Sequence, residues 1–360
     1  MSSPVNIAFR SISRALALLA LALPASLLGA QATTAPAATN AAATTPAEAR
    51  RLLSLIADDS LQGRFTGSPG AMAAARIIAA EMRRAGLEPA GDSAYFQRVP
   101  IYAAASSRPG GREVPRLAES FAALDTFPAA QRRRAVNVVG ILRGSDPVLR
   151  DEFVIVGAHY DHVGANGAAA VNGDSIFNGA DDDASGVVAM LETARQLAAG
   201  GAPKRSVIFA AFIGEENGMT GTRWYLRAPV RPLERTVADL QIEMIGRPDS
   251  LVGGAGKAWL TGYERSTLGE LLAAAGIAVV ADPRPDQNFF RRSDNFPFAQ
   301  QGIPAHTISS FGGHADYHRV SDEVGTIDFA HFAAVINATA RAVRVAADGP
   351  RPEWKPGGRP

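Results

Sequence analysis

The sequence predicts an α/β fold: a three-layer sandwich around a central mixed, largely parallel sheet. Apolar runs of strand length recur at residues 135–142, 152–159, 206–213, 236–244 and 305–309, and helical stretches at 184–199, 219–226, 266–275 and 329–346 fall between or after them. Strands that alternate with helices in this way feed a sheet covered on both sides. The runs at 152–159 and 206–213 are apolar throughout rather than at every second residue, which suits central strands buried on both faces.

Taken in order, the chain opens with Arg10 and Arg14, an apolar run over 15–28 and small residues at Gly29, Ala30 and Ala32. This is the layout of a secretory signal peptide over 1–30, with cleavage after Ala30 or Ala32. Pro24 interrupts the run, which is shorter than the roughly 20 residues a membrane span needs. Removal of the segment is therefore expected, with a secreted or periplasmic mature protein and no membrane span. Residues 31–46 are rich in Ala, Thr and Pro and read as a flexible linker. Helices are predicted over 47–56 and 71–85, the second ending at Gly86, with a loop over 63–70 between them. A strand follows over 95–101, then an irregular, Arg- and Pro-rich excursion over 104–134. After the core run comes a strand at 258–261, and the final helix ends near 346. One folded domain is expected over 47–347, and the Pro-, Arg- and Gly-rich residues 348–360 read as a disordered tail.

The 360 residues carry a net charge of +1, which gives no electrostatic basis for a nucleic-acid partner or an anionic membrane surface. Cysteine is absent, so disulfides, thiolate zinc sites and cysteine nucleophiles are excluded together. Any metal must be held by His, Asp and Glu. No Gly-x-Ser-x-Gly elbow is present, and the segment 253–258 lacks the first Gly and the Ser or Thr of a phosphate loop.

The chemistry gathers where predicted strands end, the place where ligands sit in such folds. Asp181, Asp182 and Asp183 stand between a small-residue loop and an apolar helix. One Asp caps a helix; three adjacent carboxylates need a positive partner, and no Lys or Arg lies in the stretch. The strand over 152–159 ends in His159-Tyr160-Asp161-His162, where His159 and Asp161 share a face on extended backbone. A core imidazole is the plainer reading for a lone His, and His162 is assigned only that or a surface place. The strand over 206–213 runs into Glu215 and Glu216, a pair suited to one metal ligand and one acid/base, or to a solvated loop. Glu243 sits between Ile242 and Met244 in the next strand, facing either the site or water. His314 and His318 compete for a ligand role after the last strand, and Phe289, Phe290 and Phe296 are candidates for an apolar pocket. Convergence of His and carboxylate at four strand ends, without Cys, is what a two-zinc site with nitrogen and oxygen ligands requires.

In this order the motifs resemble the M28-type co-catalytic dizinc aminopeptidases, a zinc-dependent exopeptidase family. The matching pieces are Ala158-His159-Tyr160-Asp161, Gly179-Ala180-Asp181-Asp182-Asp183-Ala184-Ser185-Gly186, Glu215-Glu216-Asn217-Gly218, Ile242-Glu243-Met244, Arg292-Ser293-Asp294 and Tyr317-His318, with Asp59-Ser60-Leu61-Gln62-Gly63-Arg64 as a lead-in. The resemblance implies a zinc-peptidase, phosphorylase/hydrolase-like sandwich and two Zn²⁺ per chain. Asp182 then bridges the ions, His159 and Glu243 complete one, and Glu216 and His318 complete the other. Glu215 is the general base, Asp161 orients His159, and Arg292 and Tyr317 hold the oxyanion. The resemblance also implies a cis peptide between Asp182 and Asp183. With a bridging hydroxide, such a cluster is close to neutral. The chain departs from the family where Gln241-Ile242-Glu243-Met244 replaces the usual Asn-x-Asp-Met. The implied activity is removal of an N-terminal residue from a peptide substrate. Carboxypeptidase, dipeptidase or glutaminyl cyclase chemistry on the same scaffold, and a non-catalytic binding module, are the alternatives.

Overall fold

The computed structural model describes residues 43–107 and 111–360. The expected signal peptide and most of the expected linker lie outside the described residues. In chain order the helices are α1 (Pro46–Ile56), α2 (Pro69–Arg84), α3 (Phe121–Asp125), α4 (Gly186–Ala199), α5 (Thr220–Arg227), α6 (Leu268–Ala274), α7 (Asn295–Gln300) and α8 (Phe329–Asp348). The strands are β1 (Glu88–Pro89), β2 (Phe96–Ala104), β3 (Val114–Leu117), β4 (Arg132–Leu142), β5 (Phe153–His159), β6 (Gly164–Ala165), β7 (Ile176–Phe177), β8 (Ser206–Phe212), β9 (Thr236–Ile242), β10 (Ala258–Leu260), β11 (Val279–Ala281) and β12 (Ala305–Ser309).

All but the small β6–β7 hairpin join one sheet in the order β11-β10-β12-β9-β5-β8-β4-β2-β3, with β1 paired to β4. The central strands β12, β9, β5 and β8 are parallel. Antiparallel β4, β2 and β3 extend one side. The period of two along each central strand creates the layers. Val154, Val156 and Ala158 of β5 and Val207, Phe209 and Ala211 of β8 pack with α1, α2, α4, α6 and α8. The intervening Phe153, Ile155, Ile208, Ala210 and Phe212 pack with Tyr225 of α5 and Phe298 of α7. The continuous apolar runs in the sequence are therefore two alternating faces, both buried. Helix starts are locally encoded: Thr45 accepts the Glu48 N–H ahead of Pro46, Ser68 accepts the Ala71 N–H ahead of Pro69, and Asp328 accepts the Ala330 and His331 N–H groups. Each such cap is worth about 1 kcal/mol.

The structure corrects several expectations. The excursion over 104–134 contains β3 and α3, and β4 begins at Arg132, because Arg side chains tolerate a strand edge that a hydrophobicity pattern does not reveal. The end of the linker is anchored: the Thr44 hydroxyl lies 2.5 Å from Glu192 and its N–H donates to Asn337 at 2.9 Å. The expected disordered tail packs against the body. Trp354 bridges in antiparallel fashion to Ser266 and donates its indole N–H to the Gly302 carbonyl at 2.9 Å, and Lys355 pairs with Glu270 at 2.6 Å. A single Trp supplies the apolar anchor that overrides the Pro/Gly composition. Strand β9 stops at Ile242, so Glu243 lies just past its end rather than inside it. Among the described residues, no helix is long and apolar enough to cross a membrane.

Candidate metal centre

The parallel strands β5, β8 and β9 all end on one side of the sheet. His159 is the last residue of β5; Glu215 and Glu216 follow β8, Glu243 follows β9, and the segment after β12 carries Tyr317 and His318. The three aspartates before α4 divide the work. The peptide between Asp182 and Asp183 is cis. Asp183 is buried and accepts the N–H groups of His159 (3.2 Å), Gly186 (3.0 Å) and Met244 (3.1 Å), tying together β5, the start of α4 and the end of β9. Asp181 accepts the Gly246 N–H at 2.7 Å and lies 2.9 Å from His314 Nε2. Asp322 accepts the backbone N–H groups of both Asp181 and Asp182. Asp182 alone turns its carboxylate into the cleft. Below it the guanidinium of the buried Arg64 donates to the carbonyls of Ile56, Tyr160, Asn178 and Gly179 at 2.6–3.0 Å. Burial lowers Arg64 to about 10, yet Asp182 and Asp161 keep it cationic.

Two clusters of donor atoms share Asp182. The first is His159, Asp182 and Glu243; the second is His162, Asp182, Glu216 and His318; within each, the donor atoms lie within 4.8 Å of one another. His159 Nε2 is 3.3 Å from Asp182 Oδ1, while His318 Nε2 is 3.0 Å from both Asp182 Oδ2 and Glu216 Oε1. His162 Nδ1 lies 3.0 Å from Glu216 Oε1 and 3.8 Å from Asp182 Oδ2. All five expected ligands, His159, Asp182, Glu216, Glu243 and His318, are thus brought together. His162 joins them, against the expectation of a bystander. The sequence held a signal for it: a third residue beyond His159 on the same strand end, next to Asp161. His314, the competitor of His318, instead braces Asp181.

The donor set fits zinc. It consists of imidazole nitrogen and carboxylate oxygen, with one carboxylate common to both clusters. His159 Nε2, both ring nitrogens of His162 and Glu216 Oε1 are buried without a hydrogen-bond partner, as atoms reserved for a cation are. The field also demands positive charge. Burial opposes protonation of His318, but the Asp182 and Glu216 carboxylates beside it raise it to about 10. Burial and Asp182 push Glu216 upward, yet His162 and His318 take it down to about 2.

The remaining candidates fall around the cleft. Asp161 does not reach the His159 ring with its carboxylate, whose nearer oxygen is 3.8 Å from Nδ1; the ring instead bonds the Asp161 backbone carbonyl at 3.1 Å. The Asp161 carboxylate accepts from Thr66 Oγ1 (2.9 Å) and from the N–H groups of Gly214 (2.7 Å) and Glu215 (3.2 Å), and so fixes the turn that presents Glu215. Glu215, Glu243, Asp182, Arg292, Tyr317 and His318 line one cleft. Burial, with Glu243 and Asp294 close by, holds the Glu215 carboxyl well above its usual range. Burial and the carboxylates of Asp182 and Glu216 keep the Tyr317 phenol protonated, and its ring stacks on His318 at 4.0 Å. Arg292 is exposed at the rim, its guanidinium 4.9 Å from the Phe289 ring centroid. Of the three phenylalanines expected to line an apolar pocket, only Phe289 does so, beside Trp259 and Phe311. Phe290 packs into the core and Phe296 against it. Gln241 is buried in the sheet, filling the space left by Gly157 and donating to Asp239 at 2.7 Å.

Solved structures share this architecture. A zinc aminopeptidase from Bacillus subtilis aligns with a TM-score of 0.60 at 16% identity over 84% of this chain and 96% of that one. The glutaminyl cyclase of Porphyromonas gingivalis aligns with a TM-score of 0.57 at 17% identity over 83% and 97%. At those identities the likeness is one of fold. In sequence, a probable zinc metalloprotease of Pyrenophora teres f. teres is 37% identical over 110 residues, 30% of this chain and 22% of the relative, so the match spans under a quarter of that protein. Residues 137–343 match peptidase family M28, a stretch that holds both donor clusters, Glu215 and the cis peptide, and on that evidence the chain belongs to peptidase family M28.

Proposed function

We propose that this chain is a two-zinc exopeptidase, an aminopeptidase that hydrolyses the N-terminal bond of peptides. The observation that carries the reading is the sharing of Asp182 between two donor clusters in a cleft that also holds Glu215. Asp182 with His159 and Glu243 would hold one ion, and Asp182 with Glu216 and His318 the other. Bound there, zinc polarises a carbonyl and lowers the pKa of a coordinated water towards neutral.

The residues of the chain do the rest. Glu215, presented by the turn that Asp161 clamps, takes a proton from the attacking water as the new C–O bond forms. It then delivers that proton to the leaving amine as the C–N bond breaks. The burial and nearby carboxylates that raise Glu215 suit a group that must hold a proton between the two steps. Tyr317, kept protonated, donates to the developing oxyanion, with the Arg292 charge at the rim in support. The aromatic wall of Trp259, Phe289 and Phe311 receives the side chain of the first residue.

The test is a substrate panel of aminoacyl-p-nitroanilides, N-blocked peptides and an N-terminal glutaminyl peptide. Turnover of the free-amine anilides alone supports the aminopeptidase reading. Cleavage of N-blocked peptides from the C-terminus, or cyclisation of the glutaminyl peptide without cleavage, replaces it with one of the other chemistries. We also propose export, on the strength of the N-terminal pattern; N-terminal sequencing of protein recovered from periplasm or medium should then read from Gln31 or Thr33.

A further inference from the structure

We infer that His162 is a zinc ligand, making the position formed with Asp182, Glu216 and His318 a closed one of four protein donors and leaving the His159–Asp182–Glu243 position open. The inference rests on the two-zinc reading. It deepens that reading by giving the two positions unequal roles. Structural zinc sites have four protein ligands, whereas catalytic ones have three and leave a place for water or substrate. By that rule one ion here anchors the cluster and the other faces the substrate.

Four observations converge on His162. Its side chain has no solvent exposure, and both ring nitrogens lack a hydrogen-bond partner. By contrast, His159 has Nδ1 bonded to the Asp161 carbonyl and only Nε2 free. His162 Nδ1 approaches Glu216 Oε1 at 3.0 Å and Asp182 Oδ2 at 3.8 Å, and His318 Nε2 approaches the same two oxygens. The His162 ring meets that of His318 edge-on at 5.4 Å between centroids. The ring is also held in place. Gly179 has a φ of +54°, and a Cβ there would fall 2.1 Å from the Asp182 carbonyl oxygen and 2.6 Å from His162 Cγ and Cδ2, so the loop before the aspartates leaves room for both that carbonyl and this imidazole. Asp182 is suited to divide the two positions, with Oδ1 towards His159 and Oδ2 towards His318 and His162.

The alternative is that His162 only donates a hydrogen bond to Glu216. Zinc-edge X-ray absorption on the zinc-loaded wild-type chain separates the two without any variant. Three imidazoles shared between two zincs are expected, and two imidazoles overturn the inference while leaving the two-zinc reading intact. Failure of the wild type to retain any zinc overturns both. Competition with a chromophoric chelator supplies a second readout: the wild type should release its zincs in two steps of unequal affinity. His162→Ala and His162→Gln should both weaken the tighter step, by more than the roughly 10–100-fold that loss of an outer hydrogen-bonding partner costs. Full retention of the tight step in His162→Gln, which keeps a donor for Glu216, overturns the assignment. Thermal melting of both variants checks that the fold survives.

Discussion

Glu215 and Asp161 show how little of a site's chemistry resides in one residue type. Glu215 is one of two adjacent glutamates, and what separates it from Glu216 is direction: Glu216 turns to His162 and His318, Glu215 to the cleft. Glu215→Gln should therefore keep two zincs and lose turnover by about 10²–10⁴-fold, the usual worth of a positioned acid/base. Wild-type hydrolysis of an aminoacyl-p-nitroanilide by that variant would remove Glu215 from the mechanism. The Asp161 carboxylate meets the Gly214 and Glu215 N–H groups, and only the backbone carbonyl of Asp161 meets the His159 ring. Asp161→Ala removes the oxygen that both amides share. It should lower kcat with zinc content unchanged, whereas a role in orienting His159 would show as zinc loss. The residue types at this site were legible in the sequence because carboxylates and imidazoles stand out at the ends of apolar runs. The direction of Asp161 was not, since spacing along a strand does not say which neighbouring amide a carboxylate meets. The inward direction of His162 was not legible for the same reason: spacing along the chain does not show that its ring lies against Gly179.

At the scale of elements, the strands that read most easily were β5, β8 and β12, whose apolar runs have clear ends. Strands β3 and β11 and helix α7 were missed, being short, and β4 was trimmed because its first three residues are Arg132, Arg133 and Arg134. The C-terminal segment was misread on composition. The Trp354 ring packs near Phe290 and His306, at centroid distances of 6.4 and 5.8 Å. Trp354→Ala should destabilise the protein by roughly 1–3 kcal/mol in urea unfolding, a partial large-to-small cost, with zinc content unaffected. An unchanged midpoint would mean the tail adds nothing to the fold. His306 itself is buried between Ser266 Oγ at 2.7 Å and the Thr261 carbonyl at 2.7 Å, and burial lowers it to about 4. Its folded value lies below the ordinary 6.5, so the folded state favours the neutral ring. That stability is fully present above about pH 6.5 and is lost as pH falls towards 4. In metal-free protein His306→Asn should flatten this part of the stability profile, and a parallel profile would show that His306 does not report it.

Over the whole molecule, the sheet order explains why residues from 159 to 318 meet. Three parallel strands, β9, β5 and β8, lie side by side and end together, and β12 beside β9 brings the last segment to the same edge. Around this edge Asp183 gathers three backbone amides, Arg64 gathers four carbonyls, and Arg247 pairs with Asp316 at 2.5 Å and Asp322 at 3.3 Å to steady the segment that carries His318. Asp183 and Arg64 stand within the motifs, but the amides and carbonyls they meet are set by the fold, and with Arg247 they fix the positions that the donor residues occupy. Strand alternation and the order of the motifs made the layers and the candidate donor residues readable. The partners of these braces were not readable, because most lie far off in sequence and are backbone amides and carbonyls for Asp183 and Arg64 and carboxylates for Arg247. The central claim is that the chain folds to place two cations on either side of Asp182. Zinc per chain, measured by mass spectrometry on the purified protein and on Asp182→Ala, tests it most directly: the account predicts close to two in the wild type with marked loss in the variant, and one or none in the wild type, or no change in the variant, would contradict it.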